Sequence, residues 1–146
     1  MNEDEKWMNL ALKQAIKAEE KGEVPVGAIL VKDGRVVAKA YNKPISTNDA
    51  SAHAEIQLIR AAGKKLANYR LTNTTLYVTL EPCTMCFGAI QHARIQRMVF
   101  GAYDSKTGGY ETTKNLKKFK HKMNITGGIL QNECSQILRT FFKLRR

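Results

Sequence analysis

Two short stretches of this 146-residue chain carry side chains suited to holding a metal ion. Pro82-Cys83-Thr84-Met85-Cys86 sets two thiols at C-x-x-C spacing, and His53-Ala54-Glu55 sets an imidazole close to a carboxylate. Two thiolates so spaced at a helix start can grip one zinc ion. The positive end of the helix dipole helps keep them deprotonated. C-x-x-C alone also suits a redox pair or a structural zinc site, and a lone histidine is more often an ordinary polar residue. Together, His53, Cys83 and Cys86 supply three ligands where zinc takes four. Without a fourth protein ligand, water completes the set and the site is catalytic. Bound zinc lowers the pKa of water from ~15.7 to about 7. On a helix Glu55 would point about 200° away from His53, so it is expected outside the ligand set. There it can take a proton as general base and return it as general acid. The plainer role for Glu55 is a first-turn carboxylate on the helix dipole.

Other residues compete poorly for a fourth coordination position. Cys134 sits among Ile129, Leu130, Ile137 and Leu138, where a buried, inert thiol is expected. His92 would lie on the same helix as Cys86 but about 120° round from it. His121 falls in a lysine-rich run and is expected to be solvated.

The elements that must position these groups follow from periodicity. Residues 5–21 read as an amphipathic helix through Trp7, Met8, Ala11, Leu12, Ala15 and Ile16, stopped by Gly22. Residues 26–31 and 35–41 read as strands joined at Asp33-Gly34, a strong hairpin signal. Residues 43–51 form a polar loop. Residues 52–66 read as a helix with Ile56, Ile59 and Ala62 on one face. Thr75 to Leu80 is the clearest strand, and a helix is expected to start at Pro82 or Cys83. Residues 97–101 and 125–130 complete the strands, and residues 132–146 form a closing helix. Strands alternating with helices after a hairpin make the class α/β with a mixed sheet.

Length suits one domain spanning 1–146. Lys and Arg total 24 against 13 acidic residues, a net charge of +11. That field favours a polyanionic partner, though solubility alone accounts for it equally well. Three cysteines are not the framework of a disulfide-stapled secreted domain. The acidic start MNEDEKWMNL lacks the apolar core of a secretory signal. No apolar run approaches the ~20 residues that cross a bilayer. No membrane association and a reducing cytoplasm are therefore expected.

H-x-E followed by P-C-x-x-C resembles the signature of the zinc-dependent cytidine and deoxycytidylate deaminase superfamily, whose base-flipping chemistry is already known. The stretches GEVPVGAILV, SAHAEI, NYRLTNTTLYVTLEPCTMC, VFGAYDSKTGG and ECSQILRTFFKLRR are similar, more closely, to its bacterial tRNA-specific adenosine deaminases. That resemblance covers nearly the whole chain. It implies a three-layer α/β/α fold around a five-stranded mixed sheet, and a homodimer with one zinc per subunit. It implies conversion of the wobble adenosine in the anticodon stem-loop of tRNA-Arg to inosine. By position it makes His53, Cys83 and Cys86 the zinc ligands and Glu55 the proton shuttle. It places Asn42 on the flipped nucleoside, Val26 and Leu80 near the base, and Asp104 on the RNA backbone or ribose near the target. It also places Phe141, Phe142, Lys143, Arg145 and Arg146 on the RNA. On the residues alone, Asn42 and Asp104 also read as turn formers, and Val26 and Leu80 as core. Phe141 and Phe142 are adjacent, so one can face the core and the other a base.

The chain departs from the family pattern at Phe87, where a small residue is usual, and over residues 110–122. Five lysines between 114 and 122, with Phe119 among them, suit either a phosphate backbone or a solvated loop. Two rival functions share the metal set. A deaminase of a free base or nucleoside would have less need of +11. A zinc-stabilised RNA-binding module without catalysis would not need Glu55 or an open coordination position.

Overall fold

The computed structural model describes residues 1–109 and 121–145. Among these residues, ten elements follow in order: α1 (Glu3–Glu20), β1 (Gly27–Lys32), β2 (Arg35–Tyr41), α2 (Pro44–Thr47), α3 (Ala54–Leu66), β3 (Thr75–Leu80), α4 (Thr84–His92), β4 (Arg97–Ala102), β5 (Asn124–Gly127) and α5 (Gln131–Leu144). The strands form one mixed sheet in the order β2-β1-β3-β4-β5. β1 pairs antiparallel with β2 and β3, whereas β3–β4 and β4–β5 are parallel. Asp33 and Gly34 both adopt positive φ, 51° and 73°, which is what a tight two-residue hairpin turn requires.

Alternation along the strands sorts the core onto two faces. Ala28, Leu30, Leu76, Val78, Met98 and Phe100 point to α3 and α4, where they meet Leu58, Ala62, Phe87 and Ile90. Ile29, Val31, Tyr77 and Val99 point the other way, to Trp7, Met8 and Ala11 of α1 and Cys134 of α5. The result is the expected three-layer α/β/α arrangement. α1 starts with a capping box in which Asn2 and Glu5 satisfy each other's backbone N–H groups. Asp4, one residue into α1, reaches Arg97 on β4 through two hydrogen bonds of 2.8 and 2.7 Å and accepts a third from the Tyr77 hydroxyl at 2.9 Å. The Arg97 guanidinium holds the Asp4 carboxyl below its ordinary range.

Several expectations need correction. Residues 43–51 contain the short helix α2, too brief to leave a periodic signal. α3 turns Leu58 and Ala62 inward, with Ile59 half-buried beside them and Ile56 outside the core cluster. Pro82 and Cys83 precede α4 rather than opening it, because Cys83 keeps extended backbone as the N-cap. β5 ends at Gly127 rather than running to Leu130. His121 is half-buried and its Nε2 bonds to the Ile95 carbonyl at 2.6 Å, so it is not a solvated loop residue. Phe87 is accommodated because Gly109 has no Cβ to collide with it. The remainder of the departing segment, residues 110–120, lies outside the described residues, as does Arg146. Among the described residues, no helix is long and apolar enough to cross a membrane.

Candidate active site

The carboxyl ends of β2, β3 and β4 and the start of β1 gather at one edge of the sheet. There a cavity of about 240 Å³ is lined by Val24, Val26, Asn42, Pro44, His53, Glu55, Leu80, Glu81, Cys83, Asp104 and Thr107. Open α/β sheets offer ligand sites at the carboxyl ends of parallel strands. A larger groove of about 1120 Å³ runs between α1 and α5 on the other face, but it holds none of the metal-donor residues.

His53 and Cys83 are both N-cap residues, of α3 and α4, with extended backbone and no side-chain capping bond. Each side chain is thus free to aim at the site, and both helix N-termini face it. The angular argument from a continuous helix therefore fails for His53, which precedes α3. Glu55 nonetheless falls outside the group of donors found among the described residues. Among the described residues, His53, Cys83 and Cys86 bring one donor atom each to within 4.8 Å of one another. Both sulfurs lie 3.6 and 3.5 Å from His53 Nδ1. Zinc bonds of ~2.3 Å to sulfur and ~2.0 Å to nitrogen at tetrahedral angles put such donors about 3.5 Å apart. The residues present therefore fit zinc. A hydrogen bond from Cys86 holds the Cys83 thiol down at about 5, while the same bond raises Cys86.

Glu55 lies in the first turn of α3 and is 4% exposed. Burial pushes its carboxyl up to about 7, the range in which an acid–base catalyst works best at neutral pH. Asn42 Oδ1 accepts the Ala54 N–H at 2.7 Å. That bond fixes the start of α3 and identifies the oxygen, so the amide NH2 of Asn42 is the group left to donate elsewhere. Val26 is buried and Leu80 half-buried along the same wall.

Asp104 lines the cavity with its carboxylate engaged in its own turn. It accepts from the Lys106 and Thr107 N–H groups and from the Thr107 hydroxyl, at 3.0, 3.1 and 2.6 Å. Main-chain contacts tie this turn to the loop that carries Cys83. Gly109 N–H bonds to the Pro82 carbonyl, and Cys83 and Gly108 form an antiparallel bridge. Glu81, 2% exposed, accepts the Asp104 N–H at 2.9 Å. Glu23, 1% exposed, accepts the Ile45 and Ser46 N–H groups at 3.1 and 2.7 Å and so secures the loop that follows Asn42. Sequence reasoning missed both acids. Their partners are remote in the chain, and the only signal was a carboxylate beside a turn or strand end.

Cys134 is fully buried against the bare Gly101 and takes no part in the cluster. None of Phe141, Phe142, Lys143 or Arg145 lines the cavity. They occupy the end of α5, where Phe141 is buried under the Arg145 guanidinium, 3.7 Å from its ring centroid, and Phe142 is 46% exposed.

The family model for the cytidine and deoxycytidylate deaminase zinc-binding region matches residues 1–102. The chain is 52% identical over 147 residues to a tRNA-specific adenosine deaminase of Haemophilus influenzae, covering 98% of this chain and 85% of that one. It is 46% identical to the protein of the same name in Bacillus subtilis, covering 98% and 91%. A solved structure from studies of A-to-I editing by tRNA:A34 deaminases at the wobble position of transfer RNA superposes with a TM-score of 0.87. It shares 45% identity and covers 91% of this chain and 99% of its own.

Proposed function

The chain belongs to the cytidine and deoxycytidylate deaminase family, and we propose that it hydrolytically deaminates the wobble adenosine of a tRNA anticodon to inosine. The observation that carries the chemistry is Glu55, buried beside the His53–Cys83–Cys86 cluster yet outside it, in a cavity of about 240 Å³. That volume falls below the ~300 Å³ where pockets for drug-sized ligands begin, so it suits a single base. The tRNA specificity is supported by relatives of that name along nearly the full chain.

His53, Cys83 and Cys86 would hold one zinc per chain. Bound there, the ion would supply a water acidic enough to give hydroxide near neutral pH. Glu55 takes a proton from the attacking water and delivers it to the ring nitrogen beside C6, then carries the second proton, from the new C6 hydroxyl, to the departing amino group. Ammonia leaves and the carbonyl of inosine remains. Asn42 donates its amide to the bound nucleoside, and Val26 and Leu80 flank the base. A base in a loop can be splayed out at modest cost, whereas C6 within a stacked duplex is out of reach. The net charge of +11 and the end of α5, with Phe142, Lys143 and Arg145, attract and contact the RNA. Homodimeric assembly in the cytoplasm completes the reading and is open to sedimentation analysis.

The test is incubation with an anticodon stem-loop carrying adenosine at the wobble position, beside free adenosine, cytidine and guanine. Inosine is expected in the RNA alone. Turnover of a free base or nucleoside without the RNA overturns the tRNA assignment.

A further inference from the structure

Flipping one base into a cavity strips its neighbours of a stacking partner. An enzyme that offers a replacement surface at the cavity rim recovers that loss. Tyr103 is built as such a surface. It is the first residue after β4, at the carboxyl edge of the parallel strands where the cavity lies, and it directly precedes the cavity-lining Asp104. Its ring packs edge-on against Phe100, with centroids 4.9 Å apart and planes at 89°. Gly127 on the neighbouring strand makes the slot. A Cβ there would meet the Phe100 ring and would lie 2.7 Å from the Tyr103 hydroxyl. One side of the ring is therefore pinned between a core phenylalanine and a bare backbone, yet the residue is 49% exposed. Isolated exposed apolar residues are common on protein surfaces. This one is held in a fixed orientation one residue from the substrate cavity, which a merely tolerated surface aromatic does not require.

We propose that Tyr103 stacks on a base immediately flanking the flipped adenosine, a role that rests on the RNA reading above. Aromatic stacking tolerates any base, because each presents a π face. Tyr103 therefore contributes to binding a splayed loop without dictating its sequence. Removing such a stack costs about 5- to 150-fold, equivalent to about 1–3 kcal/mol.

The experiment compares kcat/KM for the intact wobble-adenosine stem-loop with two versions, abasic on the 5′ or the 3′ side of the target. The wild type should lose about 5- to 150-fold on one abasic substrate. Tyr103→Leu keeps an apolar contact on Phe100 but has no π face. It should lose a similar factor on the intact RNA and little more on that abasic one. Tyr103→Phe should restore both the rate and the sensitivity to the abasic site. Tyr103→Ala repeats the comparison with the contact removed, and thermal melting of each variant reports its folding. A merely structural tyrosine would leave the abasic penalty unchanged in Tyr103→Leu, and that result overturns the proposal. So does full activity of Tyr103→Leu on the intact RNA. If the wild type fails on the intact stem-loop, the tRNA assignment itself falls and takes this role with it.

Discussion

Replacing Asn42 with aspartate removes a side-chain amide but keeps the oxygen that accepts the Ala54 N–H bond, which separates its structural role from the proposed donation to the nucleoside. Asn42 is 9% exposed and its bond to Ala54 is 2.7 Å. Ala54 is fully buried, so in Asn42→Ala its N–H loses its partner with little access to water. The loss of such a cap costs about 0.5–2 kcal/mol, or a melting temperature lower by roughly 1–8 °C at this chain length. Asn42→Asp should melt at or above the wild type, since a carboxylate at a helix N-terminus is favourable. Activity should order differently. Losing one neutral hydrogen bond to the nucleoside is worth about 0.5–1.5 kcal/mol, or about 2- to 12-fold in kcat/KM. Asn42→Asp sets a carboxylate where a donor is needed and should sit at the upper end of that range or beyond. The assays are urea or thermal unfolding, zinc content, and kcat/KM on the wobble-adenosine stem-loop. Full activity in Asn42→Asp would refute the donor role. Unchanged stability in Asn42→Ala would refute the structural one.

Further outcomes follow from the same geometry. Glu55→Gln should retain zinc while the rate falls by about 10²- to 10⁴-fold; loss of metal from that variant would make Glu55 a ligand. Stripping zinc with a chelator should abolish deamination, and adding it back should restore it. Cys134→Ala should keep both metal and activity, at a cost of about 1 kcal/mol for the vacated volume. Gly101→Ala, by contrast, forces a Cβ into Cys134 and within 2.9 Å of the Thr79 carbonyl, so it should destabilise by about 1–3 kcal/mol in denaturant titration. The Asp4 carboxyl is lowered from 3.8 by its hydrogen bonds to Arg97. Its contribution to stability is therefore complete above the unfolded pKa and is lost as pH falls through the lower folded value. Melting curves of wild type and Asp4→Asn should accordingly converge in acid and separate above about pH 4. Parallel curves across that range would mean the pair contributes nothing.

Local signals account for what could be foreseen. Thr75–Leu80 has the bounds expected from its alternation, and Asp33-Gly34 marked a hairpin because both residues take positive φ. The cluster of candidate metal donors was visible because spacing along the chain limits where each can point. The start of α4 was misplaced because Cys83 keeps extended backbone as the N-cap, so the preference of Pro82 for a first helical turn is not realised. Glu23 and Glu81 were invisible as site residues because a buried carboxylate is explained only by its partners. Those partners, at Ile45, Ser46 and Asp104, come from segments folded alongside rather than adjacent in sequence. Phe141 and Phe142 divide as expected, one buried and one exposed, since adjacent helix positions point about 100° apart.

The stitching of the 104–109 turn to the Pro82–Cys83 loop is largely main chain, and this divides the active site into a frame and an exchangeable rim. Side chains at Tyr103, Ser105 and Lys106 are exposed, and none of them makes those stitches. They can be randomised together while the loop that carries Cys83 keeps its place. A library confined to these three positions should thus vary the surface beside the cavity while leaving the Cys83 loop in place. Substitutions at Gly108 or Gly109 would shift the frame itself, because a Cβ at either collides with Glu81 or the Cys83 backbone.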